Sequence, residues 1–370
     1  MTRSRLHELS EQGQSVWIDS ISREWLDEGF LKKLIRDDAV VGVTSNPSIF
    51  QKALAEGEWY DEQLRELMQE ETDAKEIFYH LAVRDIQAAC DLLRSVWDGG
   101  GGRDGYVSME VDPTLAYERE ATIEEALRLH EWIDRPNLHV KIPATEPGLG
   151  AIEECIARGR SINVTLIFSL ERYEAVAEAY VRGLERLVEA DGDPTVVASV
   201  ASFFVSRVDT EADQRLEAIG TEEALALRGK LAVANAKLAY RRYGEIFSGE
   251  RWEALGAKGA TPQRCLWAST STKNPDYPAT LYVDELIGPE TVNTMPLETV
   301  EAFQRQGTVA RTLDRDLDAA EAVLEDLARV GVDYDDVTDT LEREGVQKFA
   351  DSFEELLEGI RAKRSELAPA

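Results

Sequence analysis

The 370-residue chain is short of cysteine, histidine and lysine, and it has no long apolar run. Its three cysteines, Cys90, Cys155 and Cys265, are scattered without a CxxC pair. That excludes a disulfide framework and a zinc ribbon, and fits a reducing cytoplasm. The four histidines show no HxH or HExxH spacing, so no metal site is expected. No apolar stretch approaches the roughly 18 residues of a spanning helix, and the N-terminus, MTRSRLHELSEQG, lacks a signal-peptide core. The expectation is a cytoplasmic protein with no membrane partner. No repeat, low-complexity tract or Pro/Ser linker divides the chain.

What the sequence does have is acid. Asp and Glu number 71 against 41 Lys and Arg, for a net charge of −30. Of the 41 basic residues only 11 are lysine. Such a surface repels nucleic acid and anionic membranes. It also repels phosphorylated metabolites, so a phosphate site needs local cations. Two sources of the bias stand open: a salt-rich cytoplasm and ordinary compositional drift. At 43% hydrophobic residues the chain can bury a real core.

A short apolar run followed by a helical segment recurs along the chain. The runs lie at 15–19, 40–44, 106–110, 138–142, 161–166, 195–201, 264–269 and 291–295. Most are rich in β-branched residues or bounded by Gly, Pro or Asn, as strands are. Between them, stretches such as 122–132 and 170–189 repeat their apolar positions at three and four residues. Residues 221–247 read as a pair of helices. Eight strands alternating with helices predict an α/β fold with a parallel sheet, and eight is the number that closes a (β/α)8 TIM barrel. A doubly wound open sheet is the alternative, but the first turn lacks GxGxxG. The predicted organisation is one domain over 1–370, with a barrel core at 15–297 and a helical extension at 298–370. Helices near 298–305, 314–330 and 335–366 pack on the barrel and can cap its mouth.

In such a barrel the strand C-termini and the loops after them build the active site. Asp19 ends the first strand, and Thr44 and Asn46 end the second, two apart on one face. Glu110 ends the third with Ser108 on its side, and Lys141 ends the fourth. Asn163 and Thr165 share a face of the fifth, Ser202 follows the sixth, and the seventh runs into STSTKN at 269–274. Each alone reads equally as a turn former or a barrel-layer residue. Lys141 alone, in NLHVKIPAT, reads as the wet side of an edge strand. Converging polar ends around it favour a different reading: an amine whose pKa is lowered by burial, able to attack a carbonyl. A lysine, carboxylates and hydroxyl and amide donors are what Schiff-base sugar chemistry needs, and the protonated imine replaces a metal as electron sink.

Three further features read as structure. His139, two before Lys141, is a barrel-layer residue. The run 99–102 with Arg103 precedes a strand and so lies at the wrong end for a phosphate cradle. DYDDVTD at 333–339 lacks the Gly of a calcium loop and reads as an acid-capped helix start.

The motifs VGVTSNPSIFQKA (41–53), VSMEVDPTLA (107–116), HVKIPAT (139–145), SINVTLIFS (161–169), SVASFFVSRVD (199–209) and STSTKNPDY (269–277) resemble those of transaldolases, from about Asp19 to Met295. The longer insert and C-terminal helices resemble the long-chain bacterial branch. The resemblance implies dihydroxyacetone transfer from sedoheptulose 7-phosphate to glyceraldehyde 3-phosphate in the non-oxidative pentose phosphate pathway, without a cofactor, by a monomer or homodimer. It implies a Schiff base at Lys141, with Glu110 as acid/base through a water positioned by Thr165. It gives Asp19 the proton of C–C cleavage and, with Asn46, one terminal hydroxyl of the dihydroxyacetone unit; Asn163 and Ser202 hold the other. Thr44 belongs to the same substrate-binding set. Arg207 binds phosphate, and Lys273 stands where the family usually has a second arginine. The alternative is fructose-6-phosphate aldolase, whose members resemble transaldolases but carry Gln at the acid position and Tyr near the imine. Here those positions are Glu110 and Phe204.

Overall fold

The computed structural model describes residues 4–69, 71 and 73–367. Eight parallel strands close in sequence order, the first pairing with the last. They are β1 Gln14–Ile18, β2 Val40–Val43, β3 Val107–Glu110, β4 Leu138–Pro143, β5 Ile162–Ile167, β6 Ser199–Phe204, β7 Arg264–Ala268 and β8 Thr291–Met295. This is the α/β barrel that the eight alternating runs predict. Every strand but β2 is buried at each residue, and β2 is open only in part at Val41. The near-continuous apolar runs follow from helices covering the outside while side chains fill the inside. Trp17 fills the barrel so closely that a Cβ on Gly42 would stand 2.4 Å from its indole. Glycine at 42 is thus a packing requirement.

Strand six departs from expectation. It starts at Ser199, not near 195, because Pro194–Val196 forms a 3-10 turn capped by Asp193. Ser202 therefore lies within β6 and not after it. The continuous apolar composition of 195–205 hides this boundary, and Pro194 was the missed turn signal. Similarly, the 314–330 helix starts only at Leu317. Residues 221–247 form two helices, as their sequence reads: Glu222–Leu225 and Leu231–Ile246, separated around Gly229 at φ +71°.

After β8 come helices Leu297–Gln306, Leu317–Val330 and Tyr334–Leu367. The last begins at an acidic cap: Asp333 accepts hydrogen bonds from the amides of Asp335 and Asp336. Its first turn is tied to the β5 side, where the Tyr334 hydroxyl bonds Asn235 and the Leu170 amide. Further on it lies along helix Pro47–Ala55 after β2, with Ser352 bonded to Ser48 and Phe353 edge-on to Phe78. It thus crosses the end of the barrel where the strands terminate. No helix among the described residues is long and apolar enough to cross a membrane.

Candidate active site

A cavity of about 650 Å³ opens at the C-terminal ends of the strands. Eight of the ten predicted site residues line it: Asp19, Thr44, Asn46, Lys141, Thr165, Ser202, Arg207 and Lys273. Glu110 and Asn163 sit just beneath, buried and paired by strand register with the lysine strand, Glu110 and Asn163 both opposite Lys141.

Lys141 is 5% exposed, and its Nζ donates to the Ser45 carbonyl at 3.0 Å. Glu110 Oε2 lies 3.4 Å from Nζ, an ion-pair distance without hydrogen-bond geometry. Both Glu110 oxygens and Thr165 Oγ1 are buried with no hydrogen-bond partner among the described residues. Buried oxygens without hydrogen bonds are costly, so Glu110 and Thr165 keep hydrogen-bonding capacity that a water or a ligand can take up. Burial pushes the Glu110 carboxyl above its ordinary range, against the pull of Lys141. Burial raises Asp19 too, although Lys141, the Thr44 hydroxyl and Arg207 each favour its charged form.

Thr44 donates to Asp19 at 2.6 Å and meets Thr294 at 2.6 Å, which fixes the carboxylate at the end of β1. Ser202 donates to Asn163 Oδ1 at 2.7 Å, and Asn163 Nδ2 donates to Ser108 at 3.0 Å. Asn163 therefore orients Ser202 and keeps one further amide hydrogen free. Asn46 caps helix Pro47–Ala55 by accepting from the Ile49 amide, so it lies on a helix start and not on β2. Its side-chain NH2 stays available to the cavity.

The strand carrying Thr165 is irregular at that point. The β5–β6 register shifts between Val164 and Ile167, and Leu166 sits at φ +60°. A bulge there re-aims neighbouring side chains, a device common beside active sites.

At the rim, Arg207 makes no hydrogen bond or ion pair among the described residues. Its guanidinium lies 4.9 Å from the Phe204 ring and 5.7 Å from that of Phe349. Burial holds it below the usual arginine range, against the carboxylates of Asp19 and Glu110. Lys273 is exposed and donates to Ser271 at 2.7 Å. Desolvation by the cavity wall, with Arg207 and Lys348 nearby, keeps its ammonium below the ordinary lysine range, although Glu298 opposes this.

Sequence reasoning missed Lys348 and Phe349 on the C-terminal helix, and Lys52 after β2, all of which line the cavity. Five cations and four acids border it, the acids being Asp19, Glu24, Glu56 and Glu298. In a chain where acids outnumber bases 71 to 41, that is a local reversal.

The family follows from comparison with known proteins. The family model described as Transaldolase/Fructose-6-phosphate aldolase matches residues 16–360. The chain belongs to this family. It is 56% identical to a transaldolase of Frankia alni over 353 residues, covering 95% of each chain. It is 56% identical to one of Acidothermus cellulolyticus over 356 residues, 96% of this chain and 95% of the relative. With a transaldolase of Mycolicibacterium paratuberculosis it shares 53% over 352 residues, 95% of this chain and 94% of the relative.

Proposed function

We propose that this family member is a transaldolase that moves a dihydroxyacetone unit from sedoheptulose 7-phosphate to glyceraldehyde 3-phosphate. The observation that carries the reading is one buried amine beside two carboxyls of unlike role. Glu110 stands 3.4 Å from Lys141 Nζ, and Asp19, held by Thr44, couples electrostatically to the same amine.

Lys141 attacks the C2 carbonyl, and Glu110, whose carboxyl burial pushes above its ordinary range, supplies the proton with which hydroxide leaves as water. The unpartnered Thr165 hydroxyl is placed to orient the water that crosses to and from Glu110. Asp19 then takes the proton of the C4 hydroxyl as the C3–C4 bond breaks and erythrose 4-phosphate leaves. The electron pair of that bond flows into the iminium, leaving an enamine on Lys141. The enamine adds to the aldehyde carbon of glyceraldehyde 3-phosphate, and the new alkoxide recovers the proton from Asp19. Hydrolysis of the imine frees fructose 6-phosphate.

Asn46 with Asp19, and Ser202 with Asn163, bracket the dihydroxyacetone hydroxyls. Arg207, with its donors uncommitted, takes the phosphate dianion, and Lys273 assists as a point charge without a bidentate fork. Glu110 and Phe204 stand where the related aldolases carry Gln and Tyr, which favours transfer over release to water. All these groups come from one chain, so a monomer suffices. Three free, buried cysteines suit a cytoplasmic setting.

The deciding experiment is a coupled assay with fructose 6-phosphate, with and without erythrose 4-phosphate. Glyceraldehyde 3-phosphate that appears only with acceptor supports transfer; production without it overturns this reading in favour of aldolase. Borohydride trapping should place a dihydroxyacetone mass on Lys141.

A further inference from the structure

The C-terminal helix Tyr334–Leu367 does more than cover the barrel. At Gly345 its backbone comes so near the end of β5 that an added Cβ would stand 3.1 Å from Leu166 and 3.4 Å from Phe168. One turn later, on the same face, Phe349 enters the cavity at 4% exposure. Its ring centre lies 6.0 Å from Lys141 Nζ and 5.7 Å from Arg207 Cζ. Phe204, at the end of β6, meets the same guanidinium at 4.9 Å and is itself backed by Phe168 at 5.3 Å.

Arginine side chains carry about 2 kcal/mol of rotamer entropy, and most buried ones are fixed by acceptors. An acceptor would fix Arg207 at the expense of the charge and donors that a phosphate needs. Two aromatic faces fix the plane of the guanidinium and leave every N–H free.

We propose that Phe349 is a positioning residue for phosphate recognition: with Phe204 it clamps Arg207, so the C-terminal helix supplies one wall of the phosphate subsite. This rests on the phosphate role given above to Arg207. Gly345 is the close approach that brings the ring into range.

Phe349→Leu keeps an apolar wall and removes the aromatic face, and Phe349→Tyr keeps the face. Two ligands separate the clamp from general packing. In borohydride trapping, half-saturation by fructose 6-phosphate should rise roughly three- to thirtyfold in Phe349→Leu, the span of a cation–π contact. Half-saturation by dihydroxyacetone, which has no phosphate, should move less than twofold, and Phe349→Tyr should restore the wild-type value for both. Inorganic phosphate titrated calorimetrically should weaken by the same factor in Phe349→Leu, a readout that needs no turnover. Wild type without acceptor-dependent transfer would remove the functional reading and leave the phosphate titration to judge the clamp. Equal loss for both trapping ligands, or unchanged phosphate affinity in Phe349→Leu, would overturn it.

Discussion

Each end of the barrel holds a largely buried arginine, and the two are treated in opposite ways. At the floor, Arg264 donates to Ser15 at 2.9 Å, to the Arg103 carbonyl at 2.6 Å and to Asp104 at 2.9 Å. Asp104 in turn accepts from Ser15 and from the Trp17 indole. His139 stacks on Tyr106 with ring centres 4.0 Å apart, kept neutral by burial and by the Arg264 charge. At the mouth, Arg207 has two aromatic neighbours and no acceptor among the described residues. A charge with all its partners inside the protein is structure. A charge whose donors are kept free suits a ligand, and on the proposed reading the two ends differ because only one of them faces chemistry.

The sharpest test of that contrast is Lys141→Ala. If mouth charges serve substrate, activity and borohydride labelling should both vanish while the barrel stays folded, at some cost in melting temperature because Asp19 and Glu110 lose the charge that favours their ionised forms. Labelling that persists in the variant would sink the Schiff-base assignment.

Asp19→Asn comes next in size. The amide cannot accept the hydroxyl proton, so C–C cleavage should slow by roughly a hundredfold or more while imine formation survives. Because burial raises the Asp19 pKa, wild-type cleavage should fall as pH drops through a limb above the ordinary carboxylate range. Asp19→Asn should lose that limb. Glu110→Gln should slow the water-dependent imine steps instead. Single-turnover traces showing both variants stopped at the same step would refute the division of labour.

The arginines themselves give a crossed experiment. Arg264→Ala leaves Asp104 without its counter-charge and should cost about 3 kcal/mol of stability, with KM unchanged. Arg207→Ala should barely move the melting temperature but raise KM for phosphorylated donors roughly ten- to hundredfold. An Arg207→Ala protein that melts early with a wild-type KM would show that the two ends do not differ as described.

The barrel and the convergence of most of the candidate site residues were legible in the sequence because both leave local marks. β-branched runs mark strands, and polar residues at their ends, such as Asp19, Glu110 and Lys141, converge once a barrel is assumed. Residues of the C-terminal helix left no such mark. The amphipathic period of 334–367 says that Phe349 is buried, not what it is buried against. Its neighbours Lys141 and Arg207 are more than 140 residues away in the chain. The start of β6 was hidden for the opposite reason, since an unbroken apolar run carries no punctuation. The Ser45 carbonyl that holds Lys141 was invisible because any residue type offers one.

The smallest expected effect belongs to the outer cations. Lys348 is exposed and makes no hydrogen bond or ion pair among the described residues, so its contribution acts through solvent. Lys348→Ala should raise KM for fructose 6-phosphate only about two- to fivefold, the scale of an exposed charge pair. Lys273→Arg should be tolerated, as it restores the group usual in the family and can add a fork to the phosphate. The informative variable is salt. At a net charge of −30 the whole protein repels a phosphate dianion, and five cations against four acids offset that field only near the mouth. Screening weakens the long-range repulsion before it weakens contacts inside the cavity. The wild-type KM should therefore fall as a weakly coordinating salt is raised to about 0.15 M, where the Debye length is about 8 Å. In Lys348→Ala the local offset is reduced to four against four, so its KM should start higher and fall more steeply. Parallel salt dependences in the two proteins would mean that Lys348 lies outside the path of the phosphate, and that the local reversal of charge is confined to Arg207 and Lys273.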